Sequence, residues 1–159
     1  MTIAYVGLGA NIGDPRAQLE AALEELKDLP ETRVAAVSSF YRSAPVGFLD
    51  QPDFVNAAAT LDTALAPERL LDKLQDIERR HRRERPFAGA PRTLDLDLLL
   101  YGDRVLDTPQ LTLPHPRMHE RAFVLKPLAE IAPQATIPGR GGVRELLSAC
   151  AGQVAERID

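Results

Sequence analysis

Segments rich in apolar residues alternate along the chain with segments in which leucines recur every three or four positions. The first kind has the composition and length of β-strands, and the second kind has the spacing of amphipathic helices. The predicted strands are TIAYVGLG at 2–9, RVAAVSSFYRS at 33–43, FVNAAATLDTAL at 54–65 and TLDLDLLLY at 93–101. Two helices separate them, so the predicted order is β-α-β-β-α-β.

The predicted helices have recognisable starts. Asp14 is the expected N-cap of the first helix, with Pro15 at its first position and Pro30 at its end, and Pro67 begins the second helix. Their apolar faces are Leu19, Leu23 and Leu26, then Leu70, Leu74 and Ile77. This order predicts an α+β fold on the ferredoxin-like plan, in which helices cover one face of an antiparallel sheet. The chain continues with a turn at Gly102-Asp103, short segments around Val105 and Leu111, and a C-terminal extension made of helical material and a Gly-rich connection, PGRGG at 138–142.

Composition places the chain among ordinary globular proteins. Its 159 residues fit one domain, 1–159, and 45% are hydrophobic and 26% charged. The net charge of −4 disfavours nucleic acid as a partner. A single cysteine, Cys150, fits a reducing compartment, and neither a signal peptide nor a membrane span is evident, so we expect a cytoplasmic protein. We also expect this protein to be a monomer.

Basic residues are nevertheless clustered in two places. RRHRRERP at 79–86 is one cluster, and further Arg and His residues lie between 115 and 121. Local positive charge on an acidic protein indicates a compact anionic ligand such as a polyphosphate. The alternative is a solvated helix end.

Asp95 and Asp97 interrupt the leucines of the last predicted strand. Residues two apart point to the same face of a strand, so both carboxylates lie on one face, opposite Leu94, Leu96 and Leu98. Carboxylate oxygens favour Mg²⁺, and a two-metal site would suit phosphoryl-type transfer. The alternative is that this face of the strand is simply solvated.

The glycines of GLGANIG at 7–13 do not form a known phosphate loop. Their spacing, G-x-G-x-x-x-G, is longer than that of the dinucleotide-binding fingerprint, and no P-loop pattern occurs in the chain. We expect them to form a tight strand-to-helix turn, so any use of ATP must depend on another scaffold.

Other candidates are weaker when each is taken alone. His115 lies between prolines and has the alternative role of a structural hydrogen-bonding group. Phe54 and Phe123 are among few aromatic residues, and their alternative role is core packing. Gln75 and Glu78 share one face of a helix, which is otherwise a solvated surface.

Taken together, these segments resemble the 6-hydroxymethyl-7,8-dihydropterin pyrophosphokinase family over nearly the whole chain. PRTLDLDLLLYG at 91–102 matches the family signature P-R-[ST]-[LI]-D-[LIV]-D. The other matching segments, in the family's order, are VGLGANIGD, SSFYRSAPVG, QPDFVNA, the E-x-x-x-x-R-x-R pattern from Glu78 to Arg85, and LPHPRMHERAFVLKPLAEIAP.

The resemblance implies an ATP-dependent transferase of folate biosynthesis. Such an enzyme moves the pyrophosphoryl group of MgATP to the hydroxymethyl group of the pterin and releases AMP. It implies that Asp95 and Asp97 bind two Mg²⁺ ions and act in catalysis with Arg83 and Arg92. The implied ATP-binding residues are Gln75, Glu78, Arg85, Arg92, His115 and Arg121. The pterin would stack between Phe54 and Phe123 and be read by Asn56 and by the backbone of Ser43, Ala44 and Val46.

The chain departs from the family pattern at Phe54, where tyrosine is common, at Pro116, where an aromatic residue is frequent, and in one loop. Many members carry an aromatic residue before Gly-Pro-Arg, where this chain has Ala88-Gly89-Ala90, and Phe87 is the candidate replacement. The loops at 44–53 and 82–92 contain Gly and Pro and are expected to close over the site. Two alternatives stay open from the residues alone: another D-x-D metal-dependent transferase that uses a nucleotide, and a non-catalytic ligand-binding module.

Overall fold

A six-stranded antiparallel sheet forms the centre of the protein, seen in a computed structural model that describes residues 1–44, 52–83 and 94–158, with only the backbone of Arg83. The strands are β1 Thr2–Ala10, β2 Thr32–Val37, β3 Phe40–Ser43, β4 Phe54–Thr63, β5 Asp95–Tyr101, β6 Leu106–Asp107, β7 Thr112–Leu113, β8 Thr136–Ile137, β9 Gly141–Gly142 and β10 Ala155–Ile158. The main sheet has the order β10-β3-β4-β1-β5, and β2 also pairs with β4. The pairs β6-β7 and β8-β9 are separate.

The segment predicted as one strand at 33–43 is interrupted between β2 and β3, and both parts pair with β4. Ser38 holds the connection between β2 and β3 against β4, since its N–H donates to the Ala58 carbonyl and its Oγ accepts from the Ala58 N–H. The antiparallel α+β fold is therefore confirmed, with the second strand divided into two.

Helices cover both faces of the sheet, and not one face as predicted. They are α1 Pro15–Lys27, α2 Pro67–Arg83, α3 Ala122–Ile131 and α4 Val143–Ala149. The leucine faces of α1 and α2 pack on one side, as the spacing predicted, and the Asp14 side chain accepts from the Ala17 N–H as the N-cap. The C-terminal extension supplies α3 and α4, whose apolar residues bury the other face of the sheet.

The strand β5 separates its leucines as the alternation predicted. Leu94, Leu96 and Leu98 belong to the core under α1 and α2, while Leu99 belongs to the core under α3. The pairing of β1 with β5 shifts between Tyr5 and Val6, so Leu100 also faces α3. Asp95 and Asp97 lie on the α3 side, with Asp95 half-buried and Asp97 exposed.

Glu130 ties α3 to β3, the strand that leads into the site. Its carboxylate accepts from the Ser39 N–H at 2.9 Å and from the Tyr41 hydroxyl at 2.5 Å. Burial and the Glu130 contact raise the pKa of Tyr41 to about 12. Burial alone would raise the pKa of Glu130, but the hydrogen bonds from Tyr41 and Ser39 outweigh it and the pKa is lowered. The hydroxyl therefore stays a donor to a charged carboxylate at neutral pH.

Candidate active site

Two rows of paired residues cross the sheet on the α3 side. In the first row Gly9 pairs with Asp95 on β5 and with Asn56 on β4. In the second row Gly7 pairs with Asp97 and with Ala58. Because paired residues share a face, the two carboxylates and the Asn56 amide stand around positions that carry no side chain.

The glycines of β1 keep this part of the sheet open. A Cβ on Gly9 would lie 3.1 Å from Asn56 Nδ2, and one on Gly7 would lie 3.4 Å from a methyl group of Leu99. The prediction of a strand-to-helix turn is therefore wrong for Gly7 and Gly9, which lie inside β1. It holds for Gly13, whose φ of 73° lies between β1 and α1.

A cavity of about 420 Å³, which we call the α3 cavity, lies over these glycines. Its lining includes most of the residues predicted to bind the pterin, together with both acidic residues and two arginines. These residues are Ser43, Ala44, Phe54, Asn56, Asp95, Asp97, Arg117, Arg121 and Phe123. The cavity has the mixture of aromatic walls and few polar groups that is typical of small-molecule sites.

The Asn56 amide is held in place from β3. Both Ser43 and Asn56 are buried, and the Ser43 Oγ donates to Asn56 Oδ1 at 2.6 Å. Besides the backbone groups of Ser43 that were predicted to contact the pterin, its hydroxyl restrains Asn56, the residue predicted to bind the edge of the pterin.

A second cavity of about 620 Å³, the α2 cavity, follows the outer edge of β5. Helix α2 contributes Gln75, Glu78, Arg79 and Arg82 to it. Gln75 and Glu78 therefore share one face of the helix as predicted, and their part in binding ATP stays a prediction. The rest of its lining is Leu71, Leu96, Asp97, Leu98, Gln110, Leu111, Thr112, His115 and Pro116. Asp97 lines both cavities, and they therefore meet at this residue.

Glu78 has a structural contact besides its place in the α2 cavity. It is 9% exposed, and its Oε2 accepts from the Leu96 N–H of β5 at 2.8 Å. Since β5 is the outer strand of the sheet, this carboxylate satisfies a backbone donor at the sheet edge.

We expect Glu78→Ala to lower the free energy of unfolding by about 1–3 kcal/mol, because it leaves the Leu96 N–H buried without this acceptor. Urea unfolding followed by circular dichroism measures the change. Asp72→Ala, which removes an exposed carboxylate from the same helix, is the matched control and should leave stability nearly unchanged. Equal stability of the two variants would contradict this role for Glu78.

His115 enters the α2 cavity as a neutral imidazole. Its backbone N–H donates to the Leu99 carbonyl at 3.0 Å, and its Nδ1 accepts from the Arg117 N–H at 3.4 Å. Burial lowers the pKa of His115, and the positive charge of Arg121 lowers it further. With Nδ1 as an acceptor, the proton of the neutral ring is on Nε2, which can donate to a ligand.

His115 should make stability depend on pH in mildly acidic solution. Because its pKa is lower in the folded state, below about pH 6.5 the unfolded chain binds a proton that the folded chain resists. The free energy of unfolding should therefore decrease as the pH is lowered from that value towards the lower pKa of His115 in the folded protein. Urea unfolding of the wild type and His115→Gln between about pH 5 and 7.5 measures this. Parallel pH profiles would refute the assignment.

The structure brings most of the predicted site residues together but cannot place all of them. Val46, Arg85, Phe87 and Arg92 lie outside the described residues, as does the side chain of Arg83, and so do most of the two predicted closing loops. Arg121, predicted for ATP, lines the α3 cavity, with its guanidinium 5.6 Å from the centre of the Phe123 ring.

Several lining residues were not predicted. Arg79 and Arg82 belong to the basic cluster already noted, and only the helix geometry shows that they face the cavity. Arg117 likewise belongs to the second basic cluster, between 115 and 121, whereas Gln110 and Thr112 had no local signal in the sequence.

Comparison with known proteins identifies the family. The family model described as 7,8-dihydro-6-hydroxymethylpterin-pyrophosphokinase matches residues 5–133. The chain belongs to this family. A 2-amino-4-hydroxy-6-hydroxymethyldihydropteridine pyrophosphokinase from Pseudomonas aeruginosa is 52% identical over 97% of this chain and 95% of its own. A protein of the same name from Bacillus subtilis is 47% identical over 83% of this chain and 79% of its own.

Solved structures of the family share the fold. The wild-type Plasmodium falciparum HPPK-DHPS crystal structure matches 93% of this chain and 44% of its own, with a TM-score of 0.73 and 14% sequence identity. At that identity the match concerns the fold alone. Membership of the family favours the pyrophosphokinase interpretation over the two alternatives that the residues alone left open, another D-x-D metal-dependent transferase and a non-catalytic ligand-binding module. Among the described helices, none is long and apolar enough to cross a membrane.

Proposed function

We propose that the two cavities hold the two substrates of the family's pyrophosphoryl transfer, ATP in the α2 cavity and 6-hydroxymethyl-7,8-dihydropterin in the α3 cavity. The observation that carries this proposal is the position of Asp97, which lines both cavities. A group transferred from one ligand to the other must pass the place where their sites meet. This position favours Asp97 and its neighbour Asp95 as the centre of the chemistry.

The acidic pair fits Mg²⁺ as the companion of ATP. Both side chains offer hard oxygen ligands on one face of β5, and Asp97 is exposed there. Within the described parts of the chain, no group of three or more His, Cys, Asp or Glu side chains is placed to hold a metal. Two carboxylates completed by phosphate oxygens and water are how Mg²⁺ is usually bound with nucleotides. In this proposal Asp95 and Asp97 would hold two such ions for the triphosphate.

The reaction is a displacement at phosphorus. The hydroxymethyl oxygen attacks the β-phosphorus of ATP, the new O–P bond forms, and the bond to the α-phosphate oxygen breaks to release AMP. The hydroxyl proton leaves to solvent. Bound Mg²⁺ supplies positive charge that stabilises the phosphate oxygens. The protein supplies alignment of the two reactants and further charge, and no covalent intermediate is needed.

The side chains around the meeting point suit these tasks. Arg117 and Arg121 carry positive charge at the α3 cavity, and Arg79 and Arg82 carry it at the α2 cavity. Guanidinium groups bind phosphate oxygens through bidentate hydrogen bonds. His115 adds an Nε2–H donor at the α2 cavity. Arg83, at the end of α2, and Arg85 and Arg92, from the part of the chain between α2 and β5, are proposed to add charge.

The pterin is proposed to bind between aromatic faces over the glycine floor. Phe54 and Phe123 are partly buried in the α3 cavity and offer ring faces to a flat heterocycle. The Asn56 amide, held by Ser43, offers hydrogen bonds to its polar edge, as do the backbone groups of Ser43, Ala44 and Val46.

Identifying the products of the reaction tests this proposal. The protein is incubated with MgATP and 6-hydroxymethyl-7,8-dihydropterin, and nucleotides and pterins are separated and quantified. Formation of AMP and pterin pyrophosphate in equal amounts, dependent on the pterin, is expected. Release of ADP or of pyrophosphate would indicate a different transferase. Binding of either compound without turnover would indicate a binding module.

A further inference from the structure

A single side chain from the C-terminal segment, Gln153, holds the start of α3. Its Oε1 accepts from the Ala122 N–H at 3.0 Å, and its Nε2 donates to the Glu120 carbonyl at 2.8 Å. These backbone groups belong to the two residues on either side of Arg121. Because one is a donor and the other an acceptor, the orientation of the Gln153 amide is fixed by its partners.

The start of α3 uses this contact in place of a local cap. Arg121 is the N-cap residue and makes no side-chain capping hydrogen bond. The first N–H groups of a helix have no partner within the helix, so one must come from elsewhere. Gln153 provides it for the Ala122 N–H from 31 residues further along the chain.

The backbone held in this way carries Arg121 and Phe123, which together with Val124 line the α3 cavity from the cap and first turn of α3. The rest of the same C-terminal segment is attached to the structure nearby. Lys126 Nζ donates to the Ala155 carbonyl at 2.6 Å, and β10 pairs with β3, where Ala155 stands opposite Ser43. The segment therefore contacts both the α3 wall and the β3 wall of the cavity.

We propose that Gln153 is a positioning residue for the pterin side of the active site, which it serves by fixing the backbone around Arg121. It lies outside residues 5–133, the part of the chain matched by the family model. Gln153 does not line the α2 cavity, so its effect on ATP is limited to the phosphate contacts of Arg121 and should be smaller than its effect on the pterin. The kinetic part of this inference rests on the proposed function.

The test compares Gln153→Ala with Gln134→Ala, which truncates an exposed glutamine in the turn before β8. Hydrogen–deuterium exchange of the segment containing Ala122 is measured first, then steady-state kinetics with each substrate varied. We expect faster exchange at Ala122 in Gln153→Ala and a KM for the pterin raised about three- to tenfold, an effect about the size of the net contribution of a single hydrogen bond. The KM for ATP should rise less than the KM for the pterin, and Gln134→Ala should match the wild type.

A second variant separates positioning from general stability. Gln153→Glu keeps an oxygen acceptor for the Ala122 N–H but loses the donor to the Glu120 carbonyl, so its pterin KM should lie between those of the wild type and Gln153→Ala. Unchanged exchange at Ala122 in Gln153→Ala would overturn the positioning role, whether or not the wild type is active. Unchanged pterin KM, or equal increases in both KM values, would overturn it as well. Failure of the proposed function is seen separately, as absence of pterin-dependent AMP formation by the wild type.

Discussion

Asp97→Ala should reduce turnover by a factor on the order of 10³ or more, because it removes the carboxylate of the residue at which the two cavities meet. The loss should appear in kcat, since the interaction is needed most when charge develops on the transferred phosphate groups. The fold should tolerate the change. Asp97 is exposed and lies outside both apolar clusters, so stability should change by no more than about 0.5 kcal/mol.

The measurement is the rate of pterin-dependent AMP formation, with urea unfolding as the check on folding. Asp103→Ala is the matched control, since it removes an exposed carboxylate from the turn after β5. It should retain wild-type kinetics. An Asp97→Ala enzyme with near wild-type kcat would remove Asp97 from the reaction and with it the proposed meeting point of the substrates.

Phe123→Ala should raise the KM for the pterin by about 10- to 100-fold, the effect of losing one aromatic face and its buried area. The KM for ATP should stay close to that of the wild type, because Phe123 lines the α3 cavity and not the α2 cavity. The same kinetic assay, with each substrate varied at saturation of the other, gives the two values. This difference between substrates distinguishes loss of a stacking wall from damage to the whole site.

Two further variants test the reason for the effect. Phe123→Tyr keeps the ring face and should restore most of the pterin affinity, whereas Phe123→Leu keeps only the apolar volume and should lie between Phe123→Tyr and Phe123→Ala. If all three variants bind the pterin as the wild type does, the pterin does not stack on Phe123. If ATP binding weakens in parallel with pterin binding, the two cavities are not separate substrate sites.

Local sequence was sufficient for much of the fold and for the character of the site. The alternation in TLDLDLLLY placed Asp95 and Asp97 on one face of β5 and the even-numbered leucines 94, 96 and 98 in the core. Leucine spacing and the N-cap Asp14 located α1, and similar spacing located α2. These predictions succeed because a strand has a period of two and a helix a period near 3.6, so nearby residues decide which face is buried.

Family resemblance added the identity of the substrates, which periodicity does not contain. Paired carboxylates and clustered arginines indicate metal and phosphate, whereas a pterin leaves no comparable local pattern. The recognised motifs extend over the chain in one order, and the match over residues 5–133 agrees with them.

Strand pairing and helix placement decided the features that the residue patterns missed. Gly7 and Gly9 are part of the site because β1 lies between β4 and β5, a long-range pairing that sets them between Asn56 and the acidic pair. Glu78 supports β5 as well as lining a cavity, since α2 ends beside the open edge of the sheet.

The C-terminal extension shows the same limit of local patterns most clearly. Its sequence predicted helical material, but only its packing on the second face of the sheet puts Phe123 over the cavity and brings Gln153 to the backbone beside Arg121. Periodicity thus establishes which face of each element is apolar. Contacts between residues far apart in the chain depend on how those faces are buried together, and it is these contacts that complete the site.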